Sequence, residues 1–544
     1  HHDHLICVQC GRIVEVEDWG FDVGGPIVQD KLWIWANYGE QNIDLLTVDD
    51  VSDFTALESY GAKLNWQVTS ANSATVFYNY GDKIKIGRNA GPTRPQETTW
   101  NQTGPTDVYK LEDTHIFGAS FFLTGMISHV GGGFQLTPQG GLDGLMTTYD
   151  EDFIWRNNYL HHETDRPQDQ FKLDGNYFFS TGNMSHELKF GAGYREVDLT
   201  SLSVWPGDNP GYRMDFYLQY GYAYNIVMIG RNRVNDATTE YVSMYLQDTM
   251  SVGNLTANVG FRYDKQEALN NEFSVQGTSG FEVDAQGNPL LPSATTGAVG
   301  NPGFDWSDFT PRLGLTYALG EEKKTLLRAS YSRFAEQLRN SYSSQVQPLS
   351  YSYTYWYYED RNGDGQVTQN EIVDFEDGPL WDNGYDPLGQ NTFNRVDPSF
   401  TAPITDELLL SVEHSLLPEL VIGATVTIRN KSDIAEFIRM VCDNGGGGCD
   451  GYGDPTLRPS VASDYELAYT RTVTRPDGTT FDVPIYGFNS SVSEAQGTYM
   501  TNGSREQDYT GLALTFNKRL SNRWMLRGNY TYSNWEWDVP AGSN

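Results

Sequence analysis

LTANVGFRY, residues 255–263, sets Leu255, Ala257, Val259, Phe261 and Tyr263 on one side of an extended chain and Thr256, Asn258, Gly260 and Arg262 on the other. Successive side chains of a strand point to opposite faces, so one face here is free of charge and the other polar. The same two-residue period returns in LKFGAGY (Leu188, Phe190, Ala192, Tyr194), LVIGATVTI (Leu420, Ile422, Ala424, Val426, Ile428) and WMLRGNYTY (Trp524, Leu526, Tyr530, Tyr532). From about residue 55 onward such segments come in pairs, joined alternately by short turns and long polar stretches. Short turns read at 180–185, 252–255, 320–324 and 520–523; long stretches rich in Gly, Pro and polar residues fall at about 200–215, 266–308, 340–400 and 436–503. This alternation predicts an antiparallel up-and-down sheet with one short-turn rim and one long-loop rim. The count is roughly fourteen to sixteen strands, fewer than the 22 of barrels that enclose a plug.

Composition fits a membrane barrel and excludes other classes. Across 544 residues, hydrophobic residues reach only 38% while 34 Tyr and 13 Trp are present, and no run approaches the ~20 apolar residues of a membrane helix. A barrel keeps average hydropathy low because only every second residue meets lipid. A secreted glycan-binding sandwich would share the same Tyr, Gly and Asn richness. Lysine and arginine total 37 against 71 acidic residues, a formal net charge of −34, which repels phosphate backbones and argues against a nucleic-acid partner. The chain opens on His1, His2, Asp3 and His4, without the basic and apolar run of an export signal.

Four stretches carry a family resemblance in order: GFDVGGPIVQDKLWIWANYGEQ at 20–41, with Gly24, Gly25, Pro26, Ile27, Asp30, Lys31, Leu32 and Trp33 at its core; TTWNQTGPTDVYKLEDTHIF at 98–117; GGGFQLTPQGG at 131–141; and DPSFTAPITDELLLSVEHSLLPEL at 397–420. Together they resemble Oar-like TonB-dependent outer-membrane receptors. The resemblance implies a large barrel, a plug ahead of it, a segment that contacts TonB, and energy-coupled uptake of scarce nutrients such as iron chelates or glycans. Barrel sequence begins by about residue 20, and no terminal aromatic strand follows the last one read, so an incomplete barrel that does not transport unaided is expected. Residues 1–18, HHDHLICVQCGRIVEVED, resemble instead the metal-binding segment of ferric uptake regulators. That likeness implies zinc on Cys7 and Cys10 and a sensed metal at His2 and His4. Two thiolates are half of a tetrahedral zinc site, and a tag-like metal binder is the plainer reading. The chain thus divides into 1–18, a fused fragment whose His, Asp and Cys run should stay out of the sheet, and 19–544, a partial receptor barrel.

One motif carries chemistry of its own. DRNGDGQVTQNE, residues 360–371, satisfies the spacing of the twelve-residue calcium loop. Asp360, Asn362 and Asp364 would offer side-chain oxygens, Gln366 its carbonyl, Thr368 a hydroxyl or water, and Glu371 two carboxylate oxygens, with Gly365 at the sharp turn. The preceding YSYTYWYYE is strand-like, so paired helices are not expected. Cys442 and Cys449 bracket a glycine-rich turn; closing so small a ring with a disulfide is worth about 2.5 kcal/mol in the chain-entropy model. His161 and His162 stand beside Glu163 and Asp165, read as a solvated loop with a metal cluster as the alternative. No G-x-S-x-G, H-E-x-x-H or P-loop is found, so no enzyme is expected.

The reading is therefore an all-β, antiparallel up-and-down transmembrane β-barrel, incomplete in plug and terminal strands. It belongs in the bacterial outer membrane, with membrane lipid and the TonB system as partners and an extracellular ligand that the sequence does not name. A non-transporting adhesion barrel and a secreted glycan-binding β-protein are the alternatives.

Overall fold

The computed structural model describes residues 2–6, 13–46, 52–207, 210–219, 222–296, 300–349, 351–445 and 447–539. Nineteen strand segments make one large sheet. Two positions are each held by two segments, Trp100–Thr103 with Thr106–Ile116 and His161–Asp165 with Gln168–Thr181. Each split falls at a proline, Pro105 and Pro167, which brings no N–H to the ladder. The short strand His2–Ile6 leads the sheet, and sixteen long positions follow, each pairing antiparallel with the next, from Ile13–Val28 to Trp524–Asp538. Among the described residues no ladder joins Trp524–Asp538 to the strands at the other end of the meander.

The two faces differ as the alternation requires. Val259, Phe261 and Tyr263 are exposed, as are Leu313, Leu315 and Tyr317 on the neighbouring strand, whereas Gly260 and Asp264 are buried on the opposite face. Cross-strand partners continue the apolar face: Ala257 meets Leu315, Leu315 meets Ala329, Ala329 meets Leu410 and Leu410 meets Val426. Toward the long-loop rim, Phe21, Tyr38, Tyr60 and Tyr80 are successive partners across four strands, and Tyr78, two residues before Tyr80 on the same face, partners Tyr109 on the fifth, their rings 5.0 Å apart. Six residues further along its strand from Tyr60, about 20 Å, Trp66 is exposed near the short-turn rim, as are Tyr317 and Trp524. An apolar band between two aromatic belts is the pattern of a barrel wall in lipid.

Three expectations are corrected here. His2–Ile6 does pair into the sheet, with His2 opposite Glu17 and Ile6 opposite Ile13. Ladder bonds are made by backbone groups, and β-branched Ile6, Ile13, Val14 and Val16 favour extended chain whatever the histidines do. Ile13–Val28 also runs unbroken through Asp18 and Trp19, so the proposed 18/19 boundary lies inside one strand. Finally, His161–Asp165 is a strand segment of the wall rather than a solvated loop. Its alternation separates His161, Glu163 and Asp165 from His162, and His162 bonds to Ser203 Oγ at 2.8 Å.

The long loops are folded. They carry a six-stranded sheet, in the order Trp155–Arg156, Thr147–Tyr149, Gly211–Gln219, Tyr222–Gly230, Tyr353–Tyr357 and Trp381–Asp382. A four-stranded sheet joins Arg395–Val396, Ser493–Asn502, Ala435–Cys442 and Arg458–Pro459. The principal buried apolar clusters lie in or against these loops: one gathers Met146, Val227, Ile229, Phe281, Leu291, Trp356 and Val367, another Trp306, Phe400 and Met500 with Ala268 of the wall. A wall with apolar side chains toward lipid needs little core of its own, whereas a cap standing in water buries its apolar residues to remain folded.

Candidate ligand-binding cap

The cap is tied together by Arg231, which is 1% exposed. It follows the strand Tyr222–Gly230 and donates to Pro292 O at 2.9 Å, Pro387 O at 2.8 Å and Ser352 Oγ at 2.7 Å, tying its own loop to two others. Its guanidinium also lies 5.6 Å from the Tyr385 ring. Burial lowers its affinity for a proton, yet arginine stays charged in proteins, so its bonds persist. Aromatic contacts extend the same cohesion: Tyr212 and Tyr355 hydroxyls meet at 2.9 Å, and Trp205 Nε1 donates to Tyr351 O–H at 3.2 Å.

The calcium-type loop 360–371 lies in this cap. Tyr353–Tyr357 leads into it, a three-residue turn of 3₁₀-helix, Gln369–Glu371, ends it, and no paired helices flank it. Its ends are clamped by Glu359 N to Glu371 O and Val373 N to Tyr357 O, both 2.9 Å. Gly365 takes φ +75°, where a Cβ would be strained. Asp360 accepts from Gly363 N at 2.7 Å and Gly365 N at 3.2 Å, and Asp364 from Gln366 N at 2.8 Å. Asn362 Oδ1 accepts from Asp364 N at 2.9 Å. Glu371, 4% exposed, accepts from Thr368 N at 3.0 Å, Thr368 Oγ1 at 2.9 Å and Arg361 N at 3.2 Å. The segment is thus a closed turn held by its own Asp, Asn and Glu side chains. The carboxylates themselves are turned toward the loop's own amides and do not form a group of three within 4.8 Å; the one such group among the described residues is Cys442, Cys449 and Asp454. Arg213 also reaches Asp360 Oδ2 at 3.3 Å.

Cys442 and Cys449 are joined by a disulfide, so their sulfurs are not free for a metal. Beside it, Asp454 bonds Asp450 N at 2.9 Å and Thr456 N at 2.8 Å. Cys7 and Cys10 lie outside the described residues, as do the side chains of His2 and His4. Arg231 had no signature a sequence reading could use, because a buried arginine bonded to carbonyls looks like any loop arginine. The aromatic run around Tyr353 marked the cap in sequence, but only as a strand.

Two cavities matter for assignment. One of about 530 Å³, bounded by Val76, Tyr78, Leu111, Ile127 and Phe171, opens on the apolar outer face and belongs to lipid contact. Another, of about 570 Å³, lies in the cap beside Trp381 and Gln496.

Residues 42–539 match the model of the outer membrane beta barrel domain family, and the chain belongs to that family. It is an outer-membrane protein. Its fold is similar to those of the outer membrane transporter YddB from Escherichia coli (TM-score 0.54, 11% identity, 96% of this chain and 55% of that one) and the siderophore receptor PirA from Acinetobacter baumannii (0.53, 11%, 98% and 61%). The ferric-catecholate import receptor Fiu from E. coli K12 is similar too (0.53, 12%, 98% and 64%). The chain thus spans less than two thirds of these structures. No curated protein matches it in sequence.

Proposed function

We propose that the chain forms the barrel of a TonB-dependent receptor of the Oar-like type, which captures a scarce nutrient of the iron-chelate or glycan class. The observation that carries this reading is the cap: loops that leave one rim of a lipid-facing wall are packed around Arg231 into a structure with its own core and a cleft. Loops positioned by a rigid scaffold are where binding concentrates. An adhesion barrel would also carry loops, so uptake decides. Cells expressing the whole gene should accumulate a labelled nutrient only when TonB is active. Accumulation indifferent to TonB, or surface attachment with no accumulation, refutes the transport reading.

We propose further that residues 360–371 hold calcium, with Asp360, Asn362, Asp364 and Glu371 as side-chain ligands, the Gln366 carbonyl, and Thr368 directly or through water. The left-handed Gly365, the clamped ends and the buried Glu371 carboxylate support this. The ion would supply structural cross-linking of the cap.

A further inference from the structure

We propose that the cap cleft between Trp381 and Gln496 is a binding subsite for a neutral oligosaccharide. Its volume, about 570 Å³, falls within the range of small-molecule sites. It lies where the six-stranded and four-stranded cap sheets meet, with Trp381 from the edge of one and Gln496 from the middle of the other.

Trp381 is 46% exposed although it belongs to a packed cap. Its ring is backed by Tyr353 and Tyr355, each 5.7 Å away centre to centre. Asn383, which donates to Tyr351 O at 3.0 Å and accepts from Tyr353 N at 3.1 Å, fixes the adjoining backbone. A supported indole face open to water is a platform for the C–H face of a sugar ring, and the rim then needs planar donors and acceptors for hydroxyls.

The rim provides them. Gln496 has φ +51°, a left-handed backbone that a side chain rarely adopts. It sits opposite a register shift between Arg439 and Val441, where the partner strand changes its pairing from Thr498 to Glu494. Bulges re-aim side chains beside binding sites, and the Gln496 amide makes no hydrogen bond among the described residues. Gly384, at φ +65°, lets the chain after Trp381 approach; a Cβ there would stand 3.0 Å from that of Gln496. Asn394 accepts from Thr498 N at 2.9 Å through Oδ1, which leaves its NH₂ for a ligand.

Charge selects the class. The cleft's only charged lining residues, Arg439 and Glu494, are paired with each other, so the site has no net charge. The chain around it carries −34. An anionic iron chelate would find repulsion and no unpaired cation, while a neutral polyhydroxylated ligand meets no such penalty.

This deepens the receptor reading and rests on it only for the choice of nutrient; binding is measured without transport. The detergent-extracted full chain is titrated calorimetrically with maltohexaose, cellohexaose, xylohexaose and chitohexaose, and with ferric citrate as the anionic contrast. At least one hexasaccharide should bind, Trp381→Ala should weaken it at least tenfold, Gln496→Ala several-fold, and Trp381→Phe far less. Unchanged near-UV circular dichroism identifies variants that keep the fold. Binding by none of the four, affinity unchanged in Trp381→Ala, or ferric citrate binding that Trp381→Ala abolishes would each overturn the proposal. Sugar binding without TonB-dependent uptake would leave this site standing and sink transport; TonB-dependent uptake of an iron chelate without sugar binding would do the reverse.

Discussion

Arg231 and Asp464 show how single polar groups hold the loops. Replacing Arg231 with methionine keeps the volume and strips the Pro292 and Pro387 carbonyls of their donor, at a cost on the order of 3 kcal/mol. The cap should then be cut by protease at least tenfold faster while the wall keeps its heat-modifiable migration on a denaturing gel. Asp464 accepts from Arg458 at 2.7 and 2.9 Å and from Val461 N at 2.7 Å; the arginine's hydrogen bonds hold its carboxyl below the usual carboxylate range. A depressed folded value means the stabilisation is fully present above the unfolded aspartate value, about 3.9, and is lost as pH falls through the lower folded one. Protease resistance of the 433–505 loop should therefore be flat from neutral pH to about 5 and fall below about 4, and Asp464→Asn should weaken that pH dependence, leaving the part due to Asp454 and Asp477, which hydrogen bonds also hold below the usual carboxylate range. For the calcium loop, calorimetry should show binding by the wild-type chain and at least tenfold weaker binding by Glu371→Gln; negligible binding by both removes the calcium assignment.

Among the elements, the wall strands were the legible part. Val259, Phe261 and Tyr263 announce their face because period-two alternation is a local property, visible in nine residues. Pairing is not local, and its finer features stayed hidden: the Phe190 ring lies over Gly175 on the adjacent strand, where an added Cβ would come within 2.4 Å of it. Gly175→Val should displace that ring and destabilise the wall by about 1–3 kcal/mol, read as a lower temperature for loss of the folded gel band; an unchanged temperature would show that the ring moves freely. The loops were legible only as long and polar. Their sheets join residues far apart in the chain, such as Tyr212 with Thr147 and Val227 with Trp356, and their polar composition concealed the buried residues that hold them. The cysteine pair could be read because it is a short-range pattern, and its disulfide is observed; the 360–371 spacing is equally short-range, and its calcium is a proposal. The Trp381 cleft could not, since Trp381 and Gln496 meet only through two separate loop sheets, and the left-handed backbone at Gln496 has no sequence signature.

At the scale of the whole molecule, a lipid-facing sheet and a water-facing cap divide the apolar residues between them. The wall shows its leucines, valines and tyrosines outward, and the cap buries its own around Trp356 and Trp306. The chain's mean hydropathy of −0.51 conceals this division, which only the alternation and the loop lengths betray. The account stands on the claim that the face of Val259 meets lipid in the outer membrane. The direct measurement places single cysteines at positions 256 to 263, in a background with Cys7 and Cys10 replaced by serine, and labels them in intact outer membranes with a water-soluble maleimide and with a lipid-dissolved quencher of an attached fluorophore. Positions 257, 259 and 261 should be shielded from the maleimide and strongly quenched from the lipid, and positions 258, 260 and 262 should be weakly quenched. Equal aqueous labelling of both sets, with no quenching from the lipid at either, would contradict the account.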